Sequence, residues 1–190
     1  MQAGKYILGL TIATILASIV FASVFVYYPA SVQVSPRAPP VIFEEGSNSN
    51  QRDLYGETIT TDIDATGTSA SITLHPTYQR TYYKDVLRIK NQDSQVYYVK
   101  IKVNETITGE NLASAKLYIY SGGDRVGVVD LLTTQLQPDS WIVLNGNGVL
   151  RIDFEFQYTT SGGSYNTAPS GSGTITLELV YSTVNTETPP

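Results

Sequence analysis

Few side chains in this sequence have the types and spacing that catalysis requires. His75 is the only histidine, Pro76 follows it, and no HExxH pattern is present, so a zinc hydrolase would lack its ligands. The chain contains no cysteine, and a serine nucleophile would have to use His75 without a G-x-S-x-G turn. We therefore predict that the protein is not an enzyme, that it needs no cofactor or metal, and that His75 has a structural or surface role.

Two groups of carboxylates could in principle bind a cation or transfer protons. Asp62 and Asp64, with Asp53 or Glu57, offer the oxygen ligands that calcium prefers, although the spacing of an EF-hand is absent. A second group, Asp153 and Glu155, lies two residues apart on one predicted strand. Alternating acids on a strand are typical of a solvated face, and we predict that role for both groups.

One motif indicates a covalent modification. Asn104-Glu105-Thr106 is an N-glycosylation sequon at the end of a predicted strand, where the side chain of Asn104 is expected to be exposed. In an exported protein we expect Asn104 to be a glycosylation site.

The composition favours strands and argues against nucleic acid as a partner. Thr, Ser, Gly, Val and Tyr are abundant in the 190 residues, whereas only 15% are charged. The net charge of -5 is spread thinly and contains no basic block, so we predict no nucleic-acid partner. Without cysteine, a protein outside the cell must be stabilised by core packing, strand pairing or assembly.

An uncharged apolar run at residues 6–28 is long enough to span a bilayer. It also has the features of a signal peptide, because Lys5 supplies a positive flank and small residues lead to a cleavage site between Ala22 and Ser23. We predict that residues 1–22 are a signal peptide, with a retained membrane anchor or a pilin-type helix as the alternatives. The membrane is then a partner of the precursor alone, unless the segment is retained.

The segment that follows, residues 23–35, reads as a strand with one apolar face. Ser31, Gln33 and Ser35 fall on the other face, and the Pro-rich residues that come next discourage pairing with a neighbouring segment of the same chain. We predict that this strand completes the sheet of a second copy of the protein. Pro29 requires either a bulge or a shorter donated part, and the alternative is that the segment is the domain's own first strand. The residues predicted to enter the second copy are Val24, Val26, Tyr28, Ala30, Val32 and Val34.

The remaining chain is divided into a Pro-rich joint and polar loop at residues 36–56, a β-sandwich domain at residues 57–184 and a flexible tail at residues 185–190. Within the domain, alternation predicts a hairpin between residues 85–90 and 95–104 and a central strand at residues 149–158. We predict no amphipathic helix longer than two turns, and the one candidate lies around residues 110–115. Eight or nine short strands with regularly spaced turns predict an all-β fold, a jelly-roll-like β-sandwich with an N-terminal apolar signal or anchor segment and a protruding N-terminal strand.

The order of these features resembles a known family. VFVYYPASVQVSP, DVLRIKNQDSQVYYVKIKV, LYIYSGGDRVGVVD and SWIVLNGNGVLRIDFEFQY resemble segments of archaeal bundling-pilus and thread subunits, which are similar to the TasA and camelysin proteins. The resemblance rests on strand and turn patterns over most of the chain. It implies exported jelly-roll subunits that polymerise by N-terminal donor-strand complementation, with that role falling on residues 24–34 here. Camelysin-like proteins have been classed as metallopeptidases, but this sequence lacks the zinc motif.

We therefore expect the structural subunit of an extracellular, cell-surface filament such as a pilus or biofilm fibre. Its partner is a further copy of itself, joined head to tail, and neighbouring filaments if the fibres bundle. The alternatives are a type IV pilin-like subunit with a retained N-terminal core helix, and a membrane-anchored surface domain that binds a glycan or another ligand.

Overall fold

The computed structural model describes residues 28–77, 79–109, 111–159 and 174–187. Residues 28–36 and the domain that begins at Arg37 are separate units and are described one at a time. The signal peptide, the cleavage site at Ala22 and Ser23, and the predicted donor residues Val24 and Val26 lie outside the described residues.

The described residues of the domain are all-β and form ten strands in two antiparallel sheets. One sheet has the order β1-β4-β9-β6-β7 and the other the order β2-β3-β10-β5-β8. This arrangement is consistent with a β-sandwich. The strands are β1 Val41–Glu45, β2 Thr60–Ile63, β3 Ser69–Thr73, β4 Arg80–Asn91, β5 Tyr97–Glu105, β6 Leu112–Ser121, β7 Asp124–Asp130, β8 Leu136–Leu144, β9 Val149–Tyr158 and β10 Ile175–Ser182.

Alternating apolar side chains from both sheets form one hydrophobic core. Strand β9 lies at the centre of its sheet, as predicted, and directs Leu150, Ile152, Phe154 and Phe156 into the core. The opposite sheet contributes the buried side chains of β5 and β10. Strands β2 and β3, and likewise β6 and β7, pair as antiparallel neighbours.

The predicted hairpin between residues 85–90 and 95–104 is wrong. Strand β4 pairs with β1 and β9, whereas β5 pairs with β10 and β8 in the other sheet. The intervening turn crosses between the sheets, because the buried side chain of Asn91 fixes it there. The Nδ2 atom of Asn91 donates to the carbonyl oxygens of Gln95 at 2.7 Å and of Asn145 at 2.9 Å, which joins this crossing to the one between β8 and β9.

Two further sequence predictions are corrected by the strands. The predicted joint and loop at residues 36–56 contains β1, which pairs with β4 and buries Val41 and Phe43, so the sandwich begins before residue 57. The region of the predicted short helix, residues 110–115, contributes instead to β6, which begins at Leu112 and pairs with β9. In both places pairing with a long neighbouring strand outweighs a weak local signal.

Candidate functional site

The described part of the predicted donor segment, residues 28–35, belongs to no strand. Tyr28 is 85% exposed, Val32 is 84% exposed and Val34 is 78% exposed, and Ala30 is exposed as well. Every residue from 28 to 35 is exposed, so the apolar side chains at alternating positions face solvent together with the residues between them. A series of exposed apolar side chains makes this stretch a candidate interaction segment, because single exposed apolar residues are common but a regular series of them is not.

One side of the sandwich is bounded by two short edge strands. Strand β1 ends one sheet and β2 ends the other, and the N–H group of Phe43 donates to the carbonyl oxygen of Gly67 at 2.6 Å across this side. Beside this hydrogen bond lies a groove of about 610 Å³. Its apolar walls are Ile42, Phe43 and Ile63, and Arg37, Asp64 and Gln92 also line it. Short edge strands with a groove between them are where another strand can pair.

The first carboxylate group stabilises turns. One oxygen of Asp64 accepts a hydrogen bond from the N–H group of Ser69 at 2.7 Å, and the other accepts from the hydroxyl of Thr66. The hydrogen bond from Thr66 is the main reason that the pKa of Asp64 is lowered. Among the described residues no group of three or more His, Asp or Glu side chains is arranged to hold a metal ion, so Asp62, Asp64, Asp53 and Glu57 are not brought together as ligands.

His75 anchors the connection between β3 and β4. Its Nδ1 atom lies 3.0 Å from Oδ2 of Asp53, and its N–H group donates to the same oxygen at 2.9 Å. The hydroxyl of Tyr83 lies 3.4 Å from that oxygen, and burial is the main reason that the pKa of Tyr83 is raised. These contacts give His75 a structural role in fixing the loop that contains Asp53.

Asn104 lies at the penultimate position of β5 and is exposed. Its Nδ2 atom is 3.3 Å from a carboxylate oxygen of Glu178 on β10. The side chain is thus on the surface, where an attached glycan would project into solvent.

The second carboxylate group contradicts the predicted solvated face. Asp153 is fully buried and Glu155 is 7% exposed, although both point away from the core. The Tyr82 hydroxyl donates to Asp153 at 2.5 Å, and the Tyr118 hydroxyl lies 3.3 Å from Glu155. Arg80 and Arg151 form ion pairs with these carboxylates. Tyr120 contacts the Tyr82 hydroxyl, and Arg125 lies against the Tyr118 ring. We call this surface the tyrosine face; its residues are Arg80, Tyr82, Tyr118, Tyr120, Arg125, Arg151, Asp153 and Glu155.

The tyrosine face is held together by side-chain contacts across four strands. Arg80 donates to Glu155 at 2.6 Å, and Nε of Arg151 donates to Asp153 at 3.0 Å. The Tyr82 and Tyr118 rings stack with centroids 6.3 Å apart. Periodicity alone could not reveal this cluster, because it depends on side chains that only the strand order brings together. Paired tyrosines opposite alternating acids were the available signal.

The tyrosine face also contains two cation–π contacts. The guanidinium carbon of Arg125 lies 5.3 Å from the Tyr118 ring centroid, and that of Arg151 lies 4.4 Å from the Tyr120 centroid. The pKa of Tyr118 is raised chiefly by burial and also by Glu155, while Arg125 and Arg80 act in the opposite direction. Both arginines therefore act on the same tyrosine hydroxyl.

Comparison with known proteins gives no family assignment: no family model and no curated protein matches the chain. No helix among the described residues has the length and apolar character needed to cross a membrane.

Proposed function

We propose that this protein is the structural subunit of an extracellular surface filament, which grows when residues 23–35 of one copy insert into the β-sandwich of the next. The observation that carries this proposal is the exposure of Tyr28, Val32 and Val34, apolar residues at alternating positions in a stretch that belongs to no strand. Each such side chain contributes roughly 1.5–3 kcal/mol when it is fully buried, before the cost of ordering the segment.

The strand order supports the finer proposal of a jelly-roll fold. Strands β3 to β10 form four-stranded halves in the orders β3-β10-β5-β8 and β4-β9-β6-β7. Taken as eight consecutive strands, this is the order of two interlocked Greek keys. Strands β2 and β1 then extend one sheet each, and both additions fall on the side of the sandwich that contains the groove.

The groove between β1 and β2 is the acceptor in this proposal. An incoming segment would place its apolar face against Ile42 and Ile63 and pair its backbone with an edge strand, which is the general mode of β-strand addition. Because the donated segment and the acceptor are different surfaces, the contact is head to tail and generates an open filament. A segment of twelve residues reaches about 40 Å when extended, enough to cross a domain of this size.

The resemblance to archaeal bundling-pilus subunits and to TasA and camelysin proteins supports export by a signal peptide, a location on the cell surface and a role in biofilm or adhesion. In this account the partner is another copy of the chain, residues 1–22 are removed before assembly, and Asn104 is available for glycosylation. No catalytic step is part of the proposed function.

The proposal is tested by changing one face of the segment at a time. Val32→Asp with Val34→Asp places two charges on the apolar face and should leave soluble monomers, because a buried unpaired carboxylate is unfavourable. The matched control, Ser31→Asp with Ser35→Asp, adds the same charge to the other face and should still form fibres. Assembly is measured by electron microscopy and sedimentation. Normal fibres from the valine variant, or from a chain lacking residues 23–34, would refute the proposal.

A further inference from the structure

The tyrosine face presents side chains that are already fixed in position. Tyr82 is 46% exposed, yet its hydroxyl donates to Asp153 and lies 3.3 Å from the Tyr120 hydroxyl. The Arg80 side chain is 67% exposed, while one of its amino groups forms an ion pair with the Glu155 carboxylate. A ligand that binds these groups would not have to order them first, which removes part of the usual entropy cost of binding.

A gain in folding stability does not by itself explain why Asp153 and Glu155 are buried at the tyrosine face. Removing two carboxylates from water carries a large desolvation cost, and a buried ion pair commonly gives no net stabilisation over apolar residues of the same volume. At this site the carboxylates are buried on the outer side of a sheet, where water would otherwise solvate them. Their hydrogen bonds orient Tyr82, Tyr118, Arg80 and Arg151, and supporting side chains of this kind are typical of binding surfaces.

The exposed charges of this sheet differ in sign from the net charge of the chain. Its five strands hold seven of the twelve Lys and Arg residues and seven of the seventeen Asp and Glu residues. Three of the seven acids, Asp85, Asp153 and Glu155, are buried, whereas all seven basic side chains are at least partly exposed. Within the described part of the chain, Arg125 has no carboxylate within 4.0 Å. Cationic groups therefore predominate among the exposed charges of this sheet, on a protein whose net charge is -5.

We propose that the tyrosine face binds an acidic polysaccharide, a polymer of sugars that carry carboxylate or sulfate groups. The flat, exposed ring of Tyr82 provides an apolar surface for the C–H face of a sugar ring. Arg80 and Arg125 provide guanidinium donors for its anionic groups, and such charge-assisted hydrogen bonds are among the stronger polar contacts. This site is distinct from the proposed donor segment and its groove, and it does not depend on filament formation.

Other polymers fit the face less well. Nucleic acid binding requires many phosphate contacts along the polymer, more than the three arginines of the tyrosine face can make. A protein partner would need a larger apolar centre than the Tyr82 ring on β4 together with Val126 and Val128, which are 41% and 37% exposed on β7 and are separated from it by β9 and β6.

Binding of the full-length chain to polygalacturonate and to a sulfated dextran is measured by isothermal titration calorimetry, with unmodified dextran and single-stranded DNA as the comparison polymers. We expect binding to at least one acidic polymer that weakens with added salt. Arg125→Gln should weaken it about threefold or more, and Tyr82→Ala about tenfold or more. Arg125 forms no ion pair among the described residues, so its variant tests the site even if Tyr82→Ala fails to fold.

The matched controls lie on the outer face of the other sheet, where Lys102 forms an exposed ion pair with Glu178. Tyr98→Ala and Lys102→Gln should leave the affinity unchanged. Equal binding to unmodified dextran, tighter binding to DNA, an equal loss in the control variants, or no binding to either acidic polymer would each overturn the proposal.

Discussion

At the scale of single residues, the most constrained position is Asp85 on β4. Its φ of 50° is in the left-handed region, where Asp is tolerated better than most residues, and it interrupts the pairing register between β4 and β9. Its N–H group donates to Asp153 at 2.7 Å, and its carboxylate accepts from Arg88 at 2.8 and 2.5 Å and from Ser47 at 2.7 Å. One residue thus connects the bulge to the loop after β1 and to the tyrosine face.

These contacts predict a specific loss of stability in acid. Hydrogen bonding from Arg88 lowers the pKa of Asp85 from 3.8 to about 2. Because the folded protein favours the ionised form, the stabilisation is complete well above pH 4 and is lost as the pH falls towards 2. Asp85→Asn should therefore lower the free energy of unfolding by about 1–2 kcal/mol at pH 7.

The difference between wild type and Asp85→Asn should shrink as the pH falls from about 4 to 2, measured by urea unfolding at each pH. The control is Asp62→Asn, an exposed substitution on β2, which should change the stability by less than about 0.5 kcal/mol at any pH. A difference at Asp85 that stays constant down to pH 2 would contradict the account.

At the scale of elements, the two turns that cross between the sheets at the β4–β5 and β8–β9 junctions pack against each other. The Asn147 N–H group donates to the carbonyl oxygen of Asp93 at 2.7 Å. A Cβ atom on Gly146 would lie 2.1 Å from the backbone carbonyl oxygen of Ser94. The absence of a side chain at Gly146 is therefore a packing requirement.

Gly146→Ala should lower the free energy of unfolding by about 1–3 kcal/mol, because the two turns would have to separate. Gly123→Ala in the β6–β7 turn is the matched control, since nothing lies within 4 Å of a Cβ atom there, and it should be close to neutral. Thermal and urea unfolding of both variants check the prediction. Similar stabilities for the two variants would show that the turns do not need their close contact.

The strand elements also show what the sequence could predict. Alternation identified the central strand β9 and the inward face of β5, because burial of one face dictates a period of two. Alternation could not distinguish a hairpin from a crossing between sheets, because the turn-forming residues that begin at Asn91 are compatible with both. Strand β1 was not predicted, because five residues next to prolines are too few to show a clear alternation of apolar and polar side chains. The burial of Asp153 was not predicted either, because it depends on tyrosines from two other strands.

At the scale of the whole molecule, the two proposals concern different surfaces. In the proposed filament, the exposed segment around Val32 and Val34 of one copy enters the groove between the edge strands of the next. The tyrosine face, which lies on four strands of one sheet, is the proposed site for a charged ligand. If both proposals hold, a filament would display one tyrosine face per subunit, so that weak single sites would act together on a long polymer.

The measurement that tests the central claim most directly is a cryo-electron microscopy map of the assembled protein that resolves the backbone. The account predicts that residues 24–34 form a β-strand paired with an edge strand of the adjoining subunit, with the valine side chains directed into the groove between that subunit's β1 and β2. A map in which the same residues pair within their own domain, or continue as a helix from the apolar N-terminal run, would contradict it.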